Sequence, residues 1–173
     1  RPGGEIVHAR ARGRGGRSVT PRGVVASQPG RAICSRSVSV HNDEPGLDVQ
    51  MKMPEVPHPD ALPSEAEIKQ KILPQLPEAV LRYYERERPI ELRPVEFGRY
   101  LGKKIPDGKF HVWMKTTGKL PDDPAIHRAV LAYTSDMGLL DTALVPHGRT
   151  LFEKEFMAAS LDHALWLHRP FRA

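Results

Sequence analysis

Residues 121–148 constrain the fold most, because they carry the clearest helix pattern in the chain. Asp123 suits the capping position of a helix N-terminus, and Pro124 suits the first helical position, where a missing N–H costs nothing. Apolar side chains then recur at spacings of three and four, which predicts one face of a helix: Ile126, Ala129, Val130, Tyr133, Met137 and Leu140. We expect the helix to end before the loop around Pro146 and Gly148.

Asp136 is the unusual residue of this helix pattern. It would lie only ~20° from Ala129 and ~40° from Leu140 around the helix, and therefore on the apolar face. A buried carboxylate has to be paired, neutral or functional, because burying a bare charge is expensive. The residues leave two interpretations open. Asp136 is either a structural carboxylate, paired with an Arg or His or capping the helix near Gly138, or a functional group.

A second informative stretch, residues 158–171, reads AASLDHALWLHRPF and predicts a strand. Alternate side chains of a strand point to opposite faces, so Ser160 and Asp162 would lie on one face and His163 on the other. Asp162 and His163 would then be unable to act as a dyad, which favours a structural role for both.

These pieces resemble the acyl-CoA thioesterase II family, whose members are double hotdog folds. The resemblance rests on the helix with its internal Ser135-Asp136, the PHG loop and the SLDHALWLHRPF strand, in family order and at family spacing. Three other segments resemble the family too: residues 43–48, 88–97 and 111–124. The resemblance implies an α+β double hotdog, with antiparallel sheets wrapped on a central helix and incomplete at both ends.

The resemblance also implies a domain organisation. Residues 1–42 would be the C-terminal strands of a first hotdog, and residues 43–88 a linker with a helical segment. Residues 89–173 would be the N-terminal part of a second hotdog with its central helix. The chain begins at Arg1 without a methionine and stops just after a predicted strand, so we expect a fragment that is weakly active or inactive.

The function that the resemblance implies is hydrolysis of fatty acyl-CoA to free fatty acid and CoA, without a cofactor. Such hydrolysis needs a base for water and donors that hold the water and the developing oxyanion. The family activates water with an Asp on the hotdog helix, a Ser or Thr on the next strand and a Gln on the last strand. Asp136 matches the first and Ser160 the second, while the Gln would lie beyond Ala173. Ser160 has a structural interpretation as well, as a hydroxyl that caps the strand start.

Residues 1–42 hold eight Arg and one acidic residue, and they predict three strands over 5–12, 18–27 and 32–41. The arginines form either a solvated face or a contact for CoA phosphates, which Arg suits geometrically. Nucleic acid is not expected as a partner, because aromatic side chains do not interleave with these arginines.

In the middle of the chain, Ser64 and Glu67 form a capping box that predicts a helix start, and a second helical stretch follows around residues 80–84. Residues 90–97 and 110–116 predict two strands, with Trp113 as a packing residue.

The remaining expectations concern partners and location. The expected partner is an acyl-CoA substrate, and the full-length protein is expected to be a homo-oligomer. No run approaches the ~20 apolar residues of a membrane span, and the eight scattered histidines predict no metal site. The single cysteine, Cys34, fits a reducing compartment, so the cytoplasm is expected, with a peroxisomal address still open at the missing C-terminus. A non-catalytic acyl-CoA- or lipid-binding hotdog module is the alternative function.

Overall fold

The computed structural model of the protein describes residues 7–12, 19–28, 31–42, 44–72, 85, 87–101, 103–151 and 153–173. The chain divides into two compact units, Arg1–Lys52 and Met53–Ala173. The predicted division at residues 42 and 88 stays a prediction. The predicted helical stretch at residues 80–84 lies outside the described residues.

The first unit is a three-stranded antiparallel sheet in the order β1-β2-β3. Its strands are β1 (Val7–Arg12), β2 (Val19–Gln28) and β3 (Arg31–His41), which confirms the three predicted strands within two residues at each boundary. A register shift between Ala26 and Ser27 interrupts the β2–β3 pairing, and Ala26 is buried. Side chains along β3 are exposed on both faces of the strand, so β3 itself buries little apolar surface.

The second unit combines a two-stranded sheet with helices. Its elements are a 3₁₀ turn (Pro59–Ala61), α1 (Glu65–Ile72), β4 (Ile90–Pro94), a 3₁₀ turn (Phe97–Leu101), β5 (Val112–Thr116), α2 (Pro124–Ser135), α3 (Leu139–Thr142) and a 3₁₀ turn (Val145–His147). Ile68, Ile90 and Val145 are buried, so α1, β4 and the last turn each contribute one side chain to the core. Antiparallel sheets beside helices confirm the predicted α+β class. In the described part of the chain, none of the helices has the length and apolar character needed to cross a bilayer.

The two strands of this sheet confirm the predicted pair at residues 90–97 and 110–116, although each is shorter. They pair antiparallel, with Ile90 opposite Thr116 and Leu92 opposite Met114. Trp113 lies on the exposed side of β5, and its indole N–H donates to the carbonyl of Pro57 at 3.0 Å. Trp113 therefore holds the extended segment before the first 3₁₀ turn against the sheet, which is the packing role predicted for it.

The N-terminus of α1 is closed by the predicted capping box. The backbone N–H and the hydroxyl of Ser64 both donate to Oε2 of Glu67, at 2.7 and 2.8 Å, and the N–H of Glu67 donates back to the Ser64 hydroxyl at 3.3 Å. The two hydrogen bonds from Ser64 favour the charged carboxylate, and they hold the pKa of Glu67 below its ordinary value.

This capping box predicts a pH dependence of stability. Because the pKa of Glu67 is lowered in the folded chain, its stabilising contribution is complete above the ordinary glutamate pKa of 4.5. The contribution is then lost as the pH falls through the lower, folded-state pKa. We expect the free energy of unfolding of Glu67→Gln to decrease less at low pH than that of the wild type. Urea unfolding at a series of pH values measures this difference.

Ser64→Ala and Ser64→Thr supply the matched pair for this experiment. The alanine variant loses the hydroxyl donor and should weaken the pH dependence, whereas the threonine variant keeps a hydroxyl and should retain it. An acid destabilisation of equal size in wild type and Glu67→Gln would contradict the prediction.

Candidate active site

Helix α2 starts as the sequence predicts, but it ends at Ser135, before Met137 and Leu140, which the predicted helix included. The Asp123 carboxylate accepts the N–H of Ala125 at 2.8 Å, and Pro124 occupies the first turn. The helix ends at Ser135, and Asp136 is its C-cap, with a right-handed helical backbone conformation. Asp136 is thus held at a helix terminus, where the chain turns towards α3.

The buried face of α2 differs from the predicted one. His127 and Thr134 are buried, whereas Ile126 and Tyr133 are 38% and 56% exposed. The Thr134 hydroxyl donates to a carbonyl in the preceding turn, and Nδ1 of His127 accepts the N–H of Ala173, while Nε2 of His127 is buried without a hydrogen-bond partner among the described residues. Apolar spacing identifies the face that gains most from burial, but the neighbouring segments decide which face is covered.

Asp136 is exposed, so the prediction that it lies on a buried apolar face is wrong. Its side chain is 58% exposed, and its carboxylate Oδ1 lies 3.7 Å from Nδ1 of His163. Because this carboxylate is exposed, it does not carry the free-energy cost of burying a charge. It is also accessible to water and to a substrate. The catalytic role of Asp136 stays a prediction.

The prediction of a strand over residues 158–171 is also wrong. Residues 156–168 are irregular, and residues 154–170 are classed as exposed, although the His163 side chain itself is partly covered. A strand exists only where a second strand accepts and donates its backbone hydrogen bonds. Alternating side chains therefore favour a strand at residues 158–171 but cannot supply its partner, and no described strand pairs with this segment.

Ser160 lies on this exposed segment and is itself exposed. Among the described residues, the structure joins it to Asp136 by neither a hydrogen bond nor an ion pair. The connection runs instead through His163, three residues further along the same segment, a distance of ~10 Å at most in an extended chain. Asp136 and Ser160 thus lie on two segments that contact each other through His163, but the two residues themselves are not in contact.

His163 is the residue at this site that sequence reasoning missed. Its Nε2 lies 3.2 Å from the hydroxyl of Ser135, the residue before Asp136. The prediction that His163 faces away from the site assumed strand alternation, and the segment is not a strand. Ser135 and His163 are 28 residues apart, so no local pattern could have indicated their contact.

The chain beyond Asp136 is anchored by a second charged cluster. The buried Arg99 side chain is paired with Asp141 of α3, and its guanidinium lies 4.4 Å from the ring centroid of Phe110. A Cβ on Gly138 would lie 3.7 Å from the same ring. This cluster fixes α3 against the loop before β5, and so determines where the turn that contains Asp136 leaves α2.

Comparisons with known proteins identify relatives of this chain. The sequence model of the acyl-CoA thioesterase family matches residues 81–173. Acyl-CoA thioesterase 2 of Haemophilus influenzae is 35% identical over 159 residues, which are 91% of this chain and 55% of that protein. The chain therefore spans about half the length of this relative.

Solved structures of acyl-CoA thioesterase and hot dog fold proteins also match this chain. The crystal structure of acyl-CoA thioesterase II TesB2 from Mycobacterium marinum matches with a TM-score of 0.70 and 34% identity, over 96% of this chain and 57% of that one. A hot dog fold protein of unknown function from Alicyclobacillus acidocaldarius matches with a TM-score of 0.58 and 18% identity, over 83% and 47% of the two chains. The second likeness concerns the fold alone, and it agrees with the predicted hotdog class.

Proposed function

Because this chain belongs to the acyl-CoA thioesterase II family, we propose that it acts in the hydrolysis of a fatty acyl-CoA to a free fatty acid and CoA. The observation that carries the proposal is the position of Asp136 at the C-terminal end of α2. Its carboxylate is 58% exposed, so it can reach a water molecule, and it lies beside the segment that contains Ser160.

In the proposed reaction, Asp136 acts as the general base and Ser160 as a group that positions the water. The water oxygen adds to the thioester carbonyl while its proton passes to the Asp136 carboxylate. The carbon–sulfur bond then breaks, and the proton passes on to the departing CoA sulfur. Ser160 suits the positioning role because a hydroxyl both donates and accepts a hydrogen bond.

The proposal includes the partners and the location. The substrate is an acyl-CoA, and the full-length protein is a homo-oligomer. The cytoplasm is the proposed location, because the single cysteine, Cys34, is an exposed free thiol of the kind that a reducing compartment preserves.

A thiol-release assay with a medium-chain acyl-CoA tests the proposed reaction. It should be run on this chain and on a chimera in which this chain replaces the matching residues of the Haemophilus influenzae relative. Since the chain spans 55% of that relative, we expect weak or no turnover by the chain alone and clear turnover by the chimera.

Calorimetric titration with a non-hydrolysable acyl-CoA analogue separates the two candidate functions. Binding without turnover in both proteins would favour the acyl-CoA-binding module over the enzyme. The unmodified Haemophilus influenzae protein is the positive control for the assay. A folded chimera that neither binds nor hydrolyses acyl-CoA would contradict the proposed function.

A further inference from the structure

His163 lies between two neighbouring side chains at the end of α2. Its Nε2 is 3.2 Å from the Ser135 hydroxyl, and its Nδ1 is 3.7 Å from the Asp136 carboxylate. The His163 side chain is 27% exposed, although residues 154–170 around it are classed as exposed. The His163 ring is therefore a point at which an otherwise exposed segment meets the helix.

The hydrogen bonds of Ser135 determine the direction of this contact. A serine hydroxyl has one proton to donate, and the Ser135 hydroxyl donates it to the carbonyl of Ala132 at 2.9 Å. The Ser135 oxygen is then left to accept a hydrogen bond from Nε2 of His163. The Asp136 carboxylate lies on the other side of the ring, 3.7 Å from Nδ1, a close contact that is longer than a hydrogen bond. The imidazole thus lies between the hydroxyl and the carboxylate.

We propose that His163 is a positioning residue for Asp136, an inference that rests on the proposed function. Asp136 is the C-cap of α2 and is exposed, so without a partner its carboxylate would sample several rotamers. A ring held by Ser135 on one side can hold the carboxylate on the other. The same contact ties the segment that contains Ser160 to the end of α2, with Ser160 ~10 Å at most from His163 along the chain.

The arrangement also resembles a serine nucleophile, a histidine base and an aspartate that orients the histidine. In that mechanism the serine hydroxyl donates to the histidine. Here the Ser135 proton is directed to Ala132 in the last turn of α2, so the geometry favours the positioning role. Ser135→Ala distinguishes the two, because a nucleophile cannot be replaced by alanine, whereas a support for the ring is partly dispensable.

The first test uses the chain itself and needs no turnover. The ring nitrogens and protons of His163 are observed by two-dimensional ¹H–¹⁵N NMR in wild type, Asp136→Asn and Ser135→Ala. We expect the Nδ1 resonance to shift in Asp136→Asn and the Nε2 resonance to shift in Ser135→Ala. His168, which lies on the same exposed segment, is the internal control and should not respond. A His163 ring that is indifferent to Asp136→Asn overturns the proposal.

The second test uses kinetics in whichever protein turns over, the chain or the chimera. His163→Ala should lower kcat about 10-fold with KM unchanged, because a carboxylate that samples several rotamers spends less time in the productive geometry. An asparagine amide can replace Nδ1, and a glutamine amide can replace Nε2. We therefore expect His163→Asn to restore kcat better than His163→Gln, with His168→Ala as the matched control.

The outcomes separate this inference from the proposed function. An unchanged kcat in His163→Ala, or better rescue by glutamine than by asparagine, overturns the positioning role while hydrolysis stands. A loss of turnover in Ser135→Ala as severe as in Asp136→Asn also overturns it, in favour of a nucleophile. If NMR detects the contact between His163 and Asp136 but neither protein hydrolyses acyl-CoA, the proposed function fails. His163 then has only a structural role.

Discussion

Replacing Asp136 with asparagine is expected to lower kcat for acyl-CoA hydrolysis about 10²- to 10⁴-fold, the contribution of a positioned general base. Asparagine has nearly the same shape as aspartate, and it can still cap α2 and contact His163, but it cannot accept a proton from water. The measurement is thiol release by the chimera, with circular dichroism to verify that the helix content is unchanged. We expect KM to change little, because the carboxylate acts on water and not on the bound acyl-CoA.

Asp162→Asn is the matched control for this prediction. Asp162 is an exposed carboxylate on the segment that also contains Ser160 and His163, so its replacement removes the same charge near the same site. We expect kcat of Asp162→Asn to stay close to that of the wild type. If Asp136→Asn behaved like Asp162→Asn, Asp136 would be a helix cap with a histidine partner, and the base would have to be sought elsewhere.

The second large effect is expected at Arg99. Its side chain is 8% exposed and paired with Asp141, itself 25% exposed, and it stacks on Phe110. Arg99→Leu leaves the Asp141 carboxylate half-buried without this cation. Breaking such a pair by removing one partner lowers the free energy of unfolding by about 3 kcal/mol, a large share of the roughly 5–15 kcal/mol that stabilises a domain. Urea unfolding measures the change.

Arg149 offers a matched control, since it combines the same kinds of contact at an exposed position. It is 44% exposed, pairs with Glu153 at 2.7 Å and lies 5.1 Å from the ring centroid of Phe156. Arg149→Leu should lower the free energy of unfolding by less than about 1 kcal/mol, because solvent screens the pair.

The double variant Arg99→Leu with Asp141→Asn identifies the cause of the larger effect. It should recover part of the loss, because a neutral amide is less expensive to bury than a charge. Equal losses in Arg99→Leu and Arg149→Leu would show that burial does not govern these ion pairs.

Local sequence patterns predicted the beginnings of elements well. Asp123 and Pro124 start α2, and Ser64 and Glu67 start α1, because a cap acts within one helical turn and its residues are adjacent in sequence. The three strands of the first unit were predicted for a similar reason, since each pairs with a strand that neighbours it in the chain.

Patterns that depend on a distant partner were misleading. The alternation over residues 158–171 predicted a strand, but a strand needs a ladder that this segment lacks among the described residues. The apolar spacing of α2 predicted burial of Ile126 and Tyr133, but the segments around the helix cover His127 and Thr134 instead. In both cases the sequence pattern is local, whereas the pairing of a strand or the burial of a helix face depends on residues elsewhere in the chain.

By itself, the sequence determined the capped helix starts, because a cap depends on residue types at short, regular spacings. The family, the α+β class and the two candidate site residues, Asp136 and Ser160, were implied by a resemblance that several motifs carry in family order. Only the tertiary structure decided that Asp136 lies exposed at the C-terminal end of α2. It also decided that His163 connects Asp136 to the segment that contains Ser160. Contacts between residues 27 or 28 positions apart are set by how segments pack, and the intervening chain carries no pattern that specifies them.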